Sequence, residues 1–180
     1  MKYKVKNIAD KINLEPFYIF AKNLSSIRTL KPDLSTNPDV IKITKNYYNE
    51  HNNCNYIAFA DEKDVKHLPW AEFDSVFNLE KKSFCFINQP PGMFTNPHYD
   101  SFFGYCQKNK INDQKASKVE RYVVFLNNWQ WGQSFCFPDH TFTNWRLGDV
   151  LTWPYLTWHS TANAGIENRL IITVTGVKSG

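Results

Sequence analysis

From residue 82 onward the chain consists of short runs rich in β-branched and aromatic residues, each followed by turn-forming residues. Glycine, proline, asparagine and aspartate mark those turns, as in residues 89–92, 138–140 and 147–149. Many short strands in succession are typical of a sandwich or closed barrel and not of a parallel α/β sheet. About eight strands predict a jelly roll. We interpret as strands residues 83–88, 97–102, 121–126, 133–137, 141–145, 149–153, 156–161 and 169–176.

The first 80 residues mix short periodic segments with helix-breaking residues. The apolar spacing predicts helices over 8–14, 17–24 and 69–77 and a strand over 55–60. At 180 residues the chain falls within the usual range for one domain. We therefore expect a single domain, 1–180, with supporting N-terminal elements over 1–80 and a jelly-roll catalytic core over 81–180, in which Trp145, Trp153 and Trp158 fill the interior.

Charge and hydropathy exclude few classes of function. The formal net charge is +4, but the lysines are dispersed, so nucleic acid binding is unsupported. No apolar run approaches the roughly 18 residues of a membrane span, and no signal peptide is evident. The four cysteines lack the spacing of a zinc or redox motif. We expect an intracellular, cytoplasmic protein without membrane partners; its oligomeric state is open.

One histidine has a carboxylate two positions later: His98, which is followed by Asp100. In a strand, residues two apart share a face, so the two side chains would point together into a barrel mouth. Two histidines and one carboxylate hold divalent iron and leave three coordination positions open. His159, about sixty residues downstream in a run of β character, is the candidate for the second histidine.

Arg169 follows His159 by ten residues and is one of four arginines in the chain. Alternation along residues 169–175 places it on one face with Ile171 and Thr173, opposite an apolar face of Leu, Ile and Val. If the apolar face packs under the N-terminal helices, Arg169 points into the barrel. A guanidinium there is costly to desolvate unless it meets an anion, and its planar fork suits a carboxylate.

His98, Asp100, His159 and Arg169 together resemble the signature of the iron(II)- and 2-oxoglutarate-dependent dioxygenase superfamily, in particular its small prolyl-hydroxylase-like or phage and bacterial members. The resemblance covers roughly the last hundred residues. It implies a mainly β, double-stranded β-helix (a cupin-like jelly roll) and metal ligation by His98, Asp100 and His159. It also implies that Arg169 pairs with the co-substrate 2-oxoglutarate, and that dioxygen is consumed to hydroxylate a peptidyl residue such as proline, or a small metabolite.

Further positions follow from the same resemblance. Asn88 resembles a polar position that helps to hold the co-substrate in some members, and Tyr122 and Thr173 are further candidates for that pocket. Several branches carry a serine two residues after the arginine, where this chain has Ile171, so another hydroxyl, such as that of Thr173, would be needed. Three aromatic residues after the metal motif are candidates to line a substrate pocket: Phe102, Phe103 and Tyr105.

Other interpretations of the same residues stay open. Asp100 could cap a turn after Pro97, and Arg169 could pair with Glu167 or Asp149. The same three ligands could serve a cupin-like metalloenzyme that does not use 2-oxoglutarate. A non-catalytic jelly-roll binding module is the remaining alternative.

Overall fold

The computed structural model describes residues 3–24, 27–29, 54–60, 67–112 and 116–179. The described elements are, in chain order, β1 (Lys4–Asn7), α1 (Glu15–Lys22), β2 (Ile27–Thr29), β3 (Cys54–Ala60), α2 (Trp70–Ser75), β4 (Leu79–Gln89), β5 (Met93–His98), α3 (Phe103–Asn109), β6 (Val119–Phe125), β7 (Gln133–Phe137), β8 (His140–Phe142), β9 (Asp149–Thr152), β10 (His159–Asn163) and β11 (Arg169–Lys178). Within these residues no helix is both long and apolar enough to cross a bilayer.

The strands form two antiparallel sheets. The larger sheet has the order β1-β9-β6-β11-β4-β3-β2, and the smaller has the order β5-β10-β7-β8. Along the chain, β4, β6, β9 and β11 lie in the larger sheet, and β5, β7, β8 and β10 lie in the smaller one. This alternation between facing sheets is that of a double-stranded β-helix. The expected fold class, a mainly β jelly roll with short helices packed on it, is confirmed.

Two apolar clusters explain why the sheets face each other as they do. The first lies between the outer face of the larger sheet and the N-terminal helices, where Phe73 contacts Phe84 and Phe20 contacts Phe86, and it also contains Phe17 and Val174. The second lies inside the barrel and joins both sheets; it contains Val123, Phe125, Phe135, Phe137, Trp145, Leu151 and Ile171. Because β11 alternates, Leu170, Ile172 and Val174 pack in the first cluster and Ile171 packs in the second, as the sequence predicts.

Several predicted boundaries are wrong in ways that matter for the site. The strand predicted over 97–102 is observed as β5, Met93–His98, and it ends at His98. Its ladder with β10 shifts register between His159 and Thr161, which accommodates Pro97 because proline cannot donate to a ladder. The strand predicted over 156–161 begins only at His159.

Other corrections concern the supporting elements. Residues 8–14 form turns instead of a helix, and the next helix begins at Glu15 with Pro16 in its first turn. Residues 4–7 form an edge strand of the larger sheet, so the N-terminal part contributes strands as well as helices. The strand predicted over 141–145 is the shorter β8. Trp158, predicted to fill the core, is half exposed, whereas Trp145 is buried.

Candidate metal centre and barrel interior

The two histidines lie directly opposite each other on neighbouring strands. His98 ends β5, His159 begins β10, and the antiparallel ladder pairs them residue to residue. Their ring centroids are 4.3 Å apart. His159 is almost completely buried, with 5% of its side chain exposed, whereas 39% of the His98 side chain is exposed. The pair therefore lies at the mouth of the barrel, with one imidazole facing inward and one at the rim.

Asp100 completes the cluster although it lies beyond the end of β5. Its Oδ2 is 3.7 Å from Nε2 of His159, and its Oδ1 is 4.0 Å from Nε2 of His98. One ligand atom from each residue fits within 4.8 Å of the others. The structure thus brings together all three residues that the sequence predicts as ligands, with the donor set N, N, O that non-heme iron(II) sites use.

Hydrogen bonds determine which ring nitrogen of each histidine is available to bind a metal ion. Nδ1 of His98 lies 2.7 Å from the carbonyl oxygen of Asn96, and Nδ1 of His159 lies 3.0 Å from that of Thr157. A carbonyl oxygen only accepts, so each Nδ1 carries the proton and donates it. In the neutral form of each ring, Nε2 then carries the lone pair on the side toward Asp100, which is the arrangement that orients a histidine for a metal.

The electrostatics of the three residues also favour a cation. Burial, followed by the neighbouring charge of His98, lowers the pKa of His159 to about 4, so His159 is neutral near pH 7. Burial alone would raise the pKa of Asp100, but Arg121 and the two histidines outweigh it and hold that pKa below its ordinary value. Oδ2 of Asp100 is buried without a hydrogen-bond partner. An ionised carboxylate whose Oδ2 has no hydrogen-bond partner, beside the neutral imidazole of His159 and the ring of His98, fits a divalent metal ion.

A second polar group lies deeper in the barrel, around Thr161, which shares the interior face of β10 with His159. Its hydroxyl oxygen accepts a hydrogen bond from Nη2 of Arg169 at 2.9 Å and from Nε2 of Gln89 at 3.2 Å. Arg169 and Gln89 are themselves ladder partners on β11 and β4. We call Thr161, Arg169 and Gln89 the guanidinium cradle.

Arg169 is 1% exposed, and its Nε and Nη1 groups have no hydrogen-bond partner. The alternative left open by the sequence, a salt bridge with Glu167 or Asp149, is not found in the described part of the chain, because the only side-chain partner of the guanidinium is the Thr161 hydroxyl. Burial lowers the pKa of Arg169 to about 9, so it stays charged near pH 7. A buried guanidinium with two unpaired donors has the chemistry to bind an anion.

The other candidates for the co-substrate pocket lie elsewhere. Asn88 faces the outer side of the larger sheet, where its Nδ2 donates to the carbonyl oxygen of Lys22 in α1. Tyr122 packs against that same outer cluster and donates to Glu120. Thr173 does face the interior, but it is four residues from Arg169 along β11 and donates to the Cys85 carbonyl. Because side chains alternate, the β4 residue that reaches the cradle is the next one, Gln89.

The three aromatic candidates for a substrate pocket are placed differently from one another. Phe102 is buried and lies against Arg121, with 4.9 Å between the guanidinium carbon and the ring centroid. Phe103 begins α3 and is 58% exposed. Tyr105 packs in a small cluster with Phe102 and Cys106 and donates to the carbonyl of Lys81. Of the three, Phe102 is connected to the candidate metal ligands, because it contacts Arg121, which bonds to Asp100.

Sequence reasoning missed three residues of the site: Gln89, Thr161 and Arg121. Thr161 follows His159 by two positions, so strand alternation alone places it on the same face. Arg121 shares the interior face of β6 with Val123 and Phe125, and an arginine in register with buried apolar residues was a usable signal. It donates from Nη1 to Oδ1 of Asp100 at 2.6 Å.

Comparison with known proteins gives similarity in structure alone. No model of a known protein family matches the sequence. A search of curated proteins finds no match. A structure of oxalate decarboxylase from Lactobacillus farciminis in complex with formate shares 17% identity over 69% of this chain, with a TM-score of 0.41. The matched region is 29% of that chain's length.

Two proteins from Thermotoga maritima are similar to the same degree. A predicted oxalate decarboxylase shares 13% identity over 69% of this chain and 81% of its own, with a TM-score of 0.43. A cupin-like protein shares 12% identity over 69% of this chain and 70% of its own, with a TM-score of 0.42. The fold class rests on the strand order of the chain itself. The protein is a double-stranded β-helix jelly roll whose mouth carries a His-Asp-His group suited to a metal ion.

Proposed function

We propose that this protein is a non-heme iron(II)- and 2-oxoglutarate-dependent dioxygenase that hydroxylates a peptidyl residue, such as proline, or a small metabolite. The observation that carries the proposal is the position of Arg169. It is a buried guanidinium with two unpaired donors, and it is joined through Thr161 to the strand that begins with His159. A metal ion alone gives no reason to bury this charge.

The distance between the His-Asp-His group and the guanidinium cradle suits a dicarboxylate. His159 and Thr161 are two residues apart on one strand, which corresponds to about 7 Å along an extended chain. An extended five-carbon dicarboxylate has a comparable length. One end of 2-oxoglutarate would therefore lie at the His-Asp-His group while its distal carboxylate meets Arg169. The charges agree as well, because Arg169 supplies a positive charge that the interior otherwise leaves uncompensated.

Each residue of the site then has a defined task. His98, Asp100 and His159 hold the metal through Nε2, one carboxylate oxygen and Nε2. Arg169 binds the distal carboxylate, the Thr161 hydroxyl fixes the guanidinium, and Gln89 supports Thr161. Iron, when bound with 2-oxoglutarate and dioxygen, supplies oxidative decarboxylation to succinate and carbon dioxide coupled to hydroxylation of a C–H bond. The buried aromatic residues around His159 keep water from the inner imidazole.

Binding of 2-oxoglutarate to protein loaded with manganese(II), a redox-quiet substitute for iron, tests this proposal. Isothermal titration calorimetry should show binding to the manganese form and at least tenfold weaker binding to metal-free protein, because two anchors are needed. Glutarate, which has both carboxylates but no keto oxygen, is the matched ligand control and should bind more weakly than 2-oxoglutarate. The Arg169→Met variant should bind manganese but lose 2-oxoglutarate.

Two outcomes would favour the alternatives. Manganese binding without any 2-oxoglutarate binding would replace the proposal with a cupin-like metalloenzyme of other chemistry. Absence of binding by manganese, iron(II) or cobalt(II) would favour a non-catalytic binding module.

A further inference from the structure

Asp100 makes one close contact that the proposed metal site does not require. Nη1 of Arg121 lies 2.6 Å from Oδ1 of Asp100, a short, charge-assisted hydrogen bond. The exposed fractions of the two side chains are 27% and 12%, so this pair is largely shielded from solvent. A positive charge beside a metal ligand disfavours cation binding. Arg121 therefore needs another role to account for its position.

Arg121 is itself fixed from two further sides. Its Nε donates to the hydroxyl of Thr175 on β11 at 3.0 Å. Its guanidinium lies against the ring of Phe102, which in turn stacks against Tyr155 with centroids 5.8 Å apart. The Tyr155 hydroxyl donates to the carbonyl of Ser101, the residue next to Asp100. Arg121 thus bridges the larger sheet and the segment after β5.

The consequence is that the two oxygens of Asp100 are not equivalent. Oδ1 is bound by Arg121, whereas Oδ2 is buried, lacks a hydrogen-bond partner and is 3.7 Å from Nε2 of His159. Asp100 lies outside the regular strand, so no ladder hydrogen bonds determine how its carboxylate is turned. The hydrogen bond that reaches this carboxylate comes from Arg121.

We propose that Arg121 is a positioning residue of the metal centre: it occupies Oδ1 of Asp100, so that the carboxylate binds the metal through Oδ2 alone. This inference rests on the proposed metal centre. A one-oxygen carboxylate with two imidazoles leaves three positions open, which co-substrate and dioxygen need. A carboxylate that binds the metal through both oxygens would occupy one of these open positions.

The direction in which metal affinity changes when Arg121 is removed distinguishes a positioning role from a purely electrostatic one. If Arg121 acts only as a nearby positive charge, its removal should strengthen the binding of a divalent cation, because repulsion is lost. If it positions Asp100, its removal should weaken that binding, as loss of an outer hydrogen-bond partner usually does by about 10–100-fold. The two accounts therefore predict opposite changes.

Cobalt(II) affinity, measured by calorimetry in the absence of 2-oxoglutarate, is the test. We expect Arg121→Met to weaken cobalt binding about 10–100-fold, and Arg121→Lys to recover part of the loss because a lysine keeps the charge without the two-pronged geometry. Arg146→Met is the matched control, because Arg146 is exposed in the turn before β9 and should leave the affinity unchanged. Melting of each metal-free variant monitors folding.

A second variant keeps the test decisive if Arg121→Met does not fold. Thr175→Val removes the partner of Nε while keeping the Arg121 charge, and it should weaken cobalt binding several-fold. Equal or tighter cobalt binding by a folded Arg121→Met, or by both Arg121→Lys and Thr175→Val, overturns this inference and leaves the metal centre intact. Failure of the wild-type protein to bind cobalt overturns the metal centre and this inference with it.

Discussion

Nη2 of Arg169 donates a hydrogen bond to the hydroxyl of Thr161, two residues after His159 on the interior face of β10. This contact joins the candidate metal cluster to the one fully buried guanidinium in the described part of the chain. His159 and the Thr161 hydroxyl that contacts Arg169 are thus neighbours on β10, and Arg169 itself begins β11. A buried guanidinium is costly to desolvate, so an anion that pairs with it, as proposed for 2-oxoglutarate, would account for its position.

Replacing that arginine should raise stability and remove co-substrate binding at the same time. Arg169 buries an uncompensated charge, so Arg169→Met should increase the free energy of unfolding of the ligand-free protein by about 1–3 kcal/mol. Urea denaturation measures this change. The increase in melting temperature that 2-oxoglutarate gives the metal-loaded wild type should be absent in the variant.

Arg146→Met serves as the control for this prediction, since it removes an exposed guanidinium and should change neither quantity. A destabilised Arg169→Met variant that still responds to 2-oxoglutarate would mean that Arg169 is structural and that the anion binds elsewhere.

Gln89 and Asn88 offer a matched pair on opposite faces of β4. Gln89→Leu removes the amide that contacts Thr161, and it should weaken 2-oxoglutarate binding about tenfold, the usual effect of losing a hydrogen bond near a charged group. Asn88→Leu changes the neighbouring residue on the outer face and should leave that affinity within about twofold. Calorimetry on the manganese form compares them. An equal loss in both variants would contradict the interior assignment of Gln89.

Acid should destabilise the metal-free protein over a defined pH range because of His159. Its pKa is lowered to about 4 in the fold against an ordinary value of 6.5, so the unfolded chain takes up a proton first. The stabilisation is complete above pH 6.5 and is lost as the pH falls toward 4, by up to about 3 kcal/mol. Urea denaturation at several pH values checks this.

A His159→Gln variant should lose the part of the pH dependence between 6.5 and 4. His140→Gln, a change at an exposed histidine, should keep it. If His159→Gln retains the full slope, another group is responsible and the neutral state of the His159 imidazole is not what stabilises the fold.

The sequence predicts that His98, Asp100 and His159 come together, and the structure places them together, because residues two apart in β structure share a face. His98 and His159 are brought opposite each other by strand pairing, which a jelly-roll prediction already implies. The inward position of Arg169 follows from alternation with Leu170, which packs in the outer cluster. Here local periodicity and tertiary structure agree.

Other parts of the site depend on details that periodicity does not fix. The sequence analysis names Asn88 as a candidate for the co-substrate pocket, but Asn88 faces the outer side of the sheet and the neighbouring Gln89 contacts Thr161 in the interior, because a shift of one residue along a strand changes the face. Asp100 lies beyond the end of β5, so strand alternation does not fix its orientation, and its Oδ1 is bound by Arg121, a residue 21 positions downstream in the chain. No local sequence pattern predicts such a contact.

The most direct test of the account is the anaerobic absorption spectrum of the protein with iron(II) and 2-oxoglutarate. A weak visible charge-transfer band should appear with the wild type, disappear with His159→Ala and be absent with Arg169→Met at the 2-oxoglutarate concentration that saturates the wild type. Iron bound by the wild type without any such band would contradict the claim that this barrel binds 2-oxoglutarate at its metal.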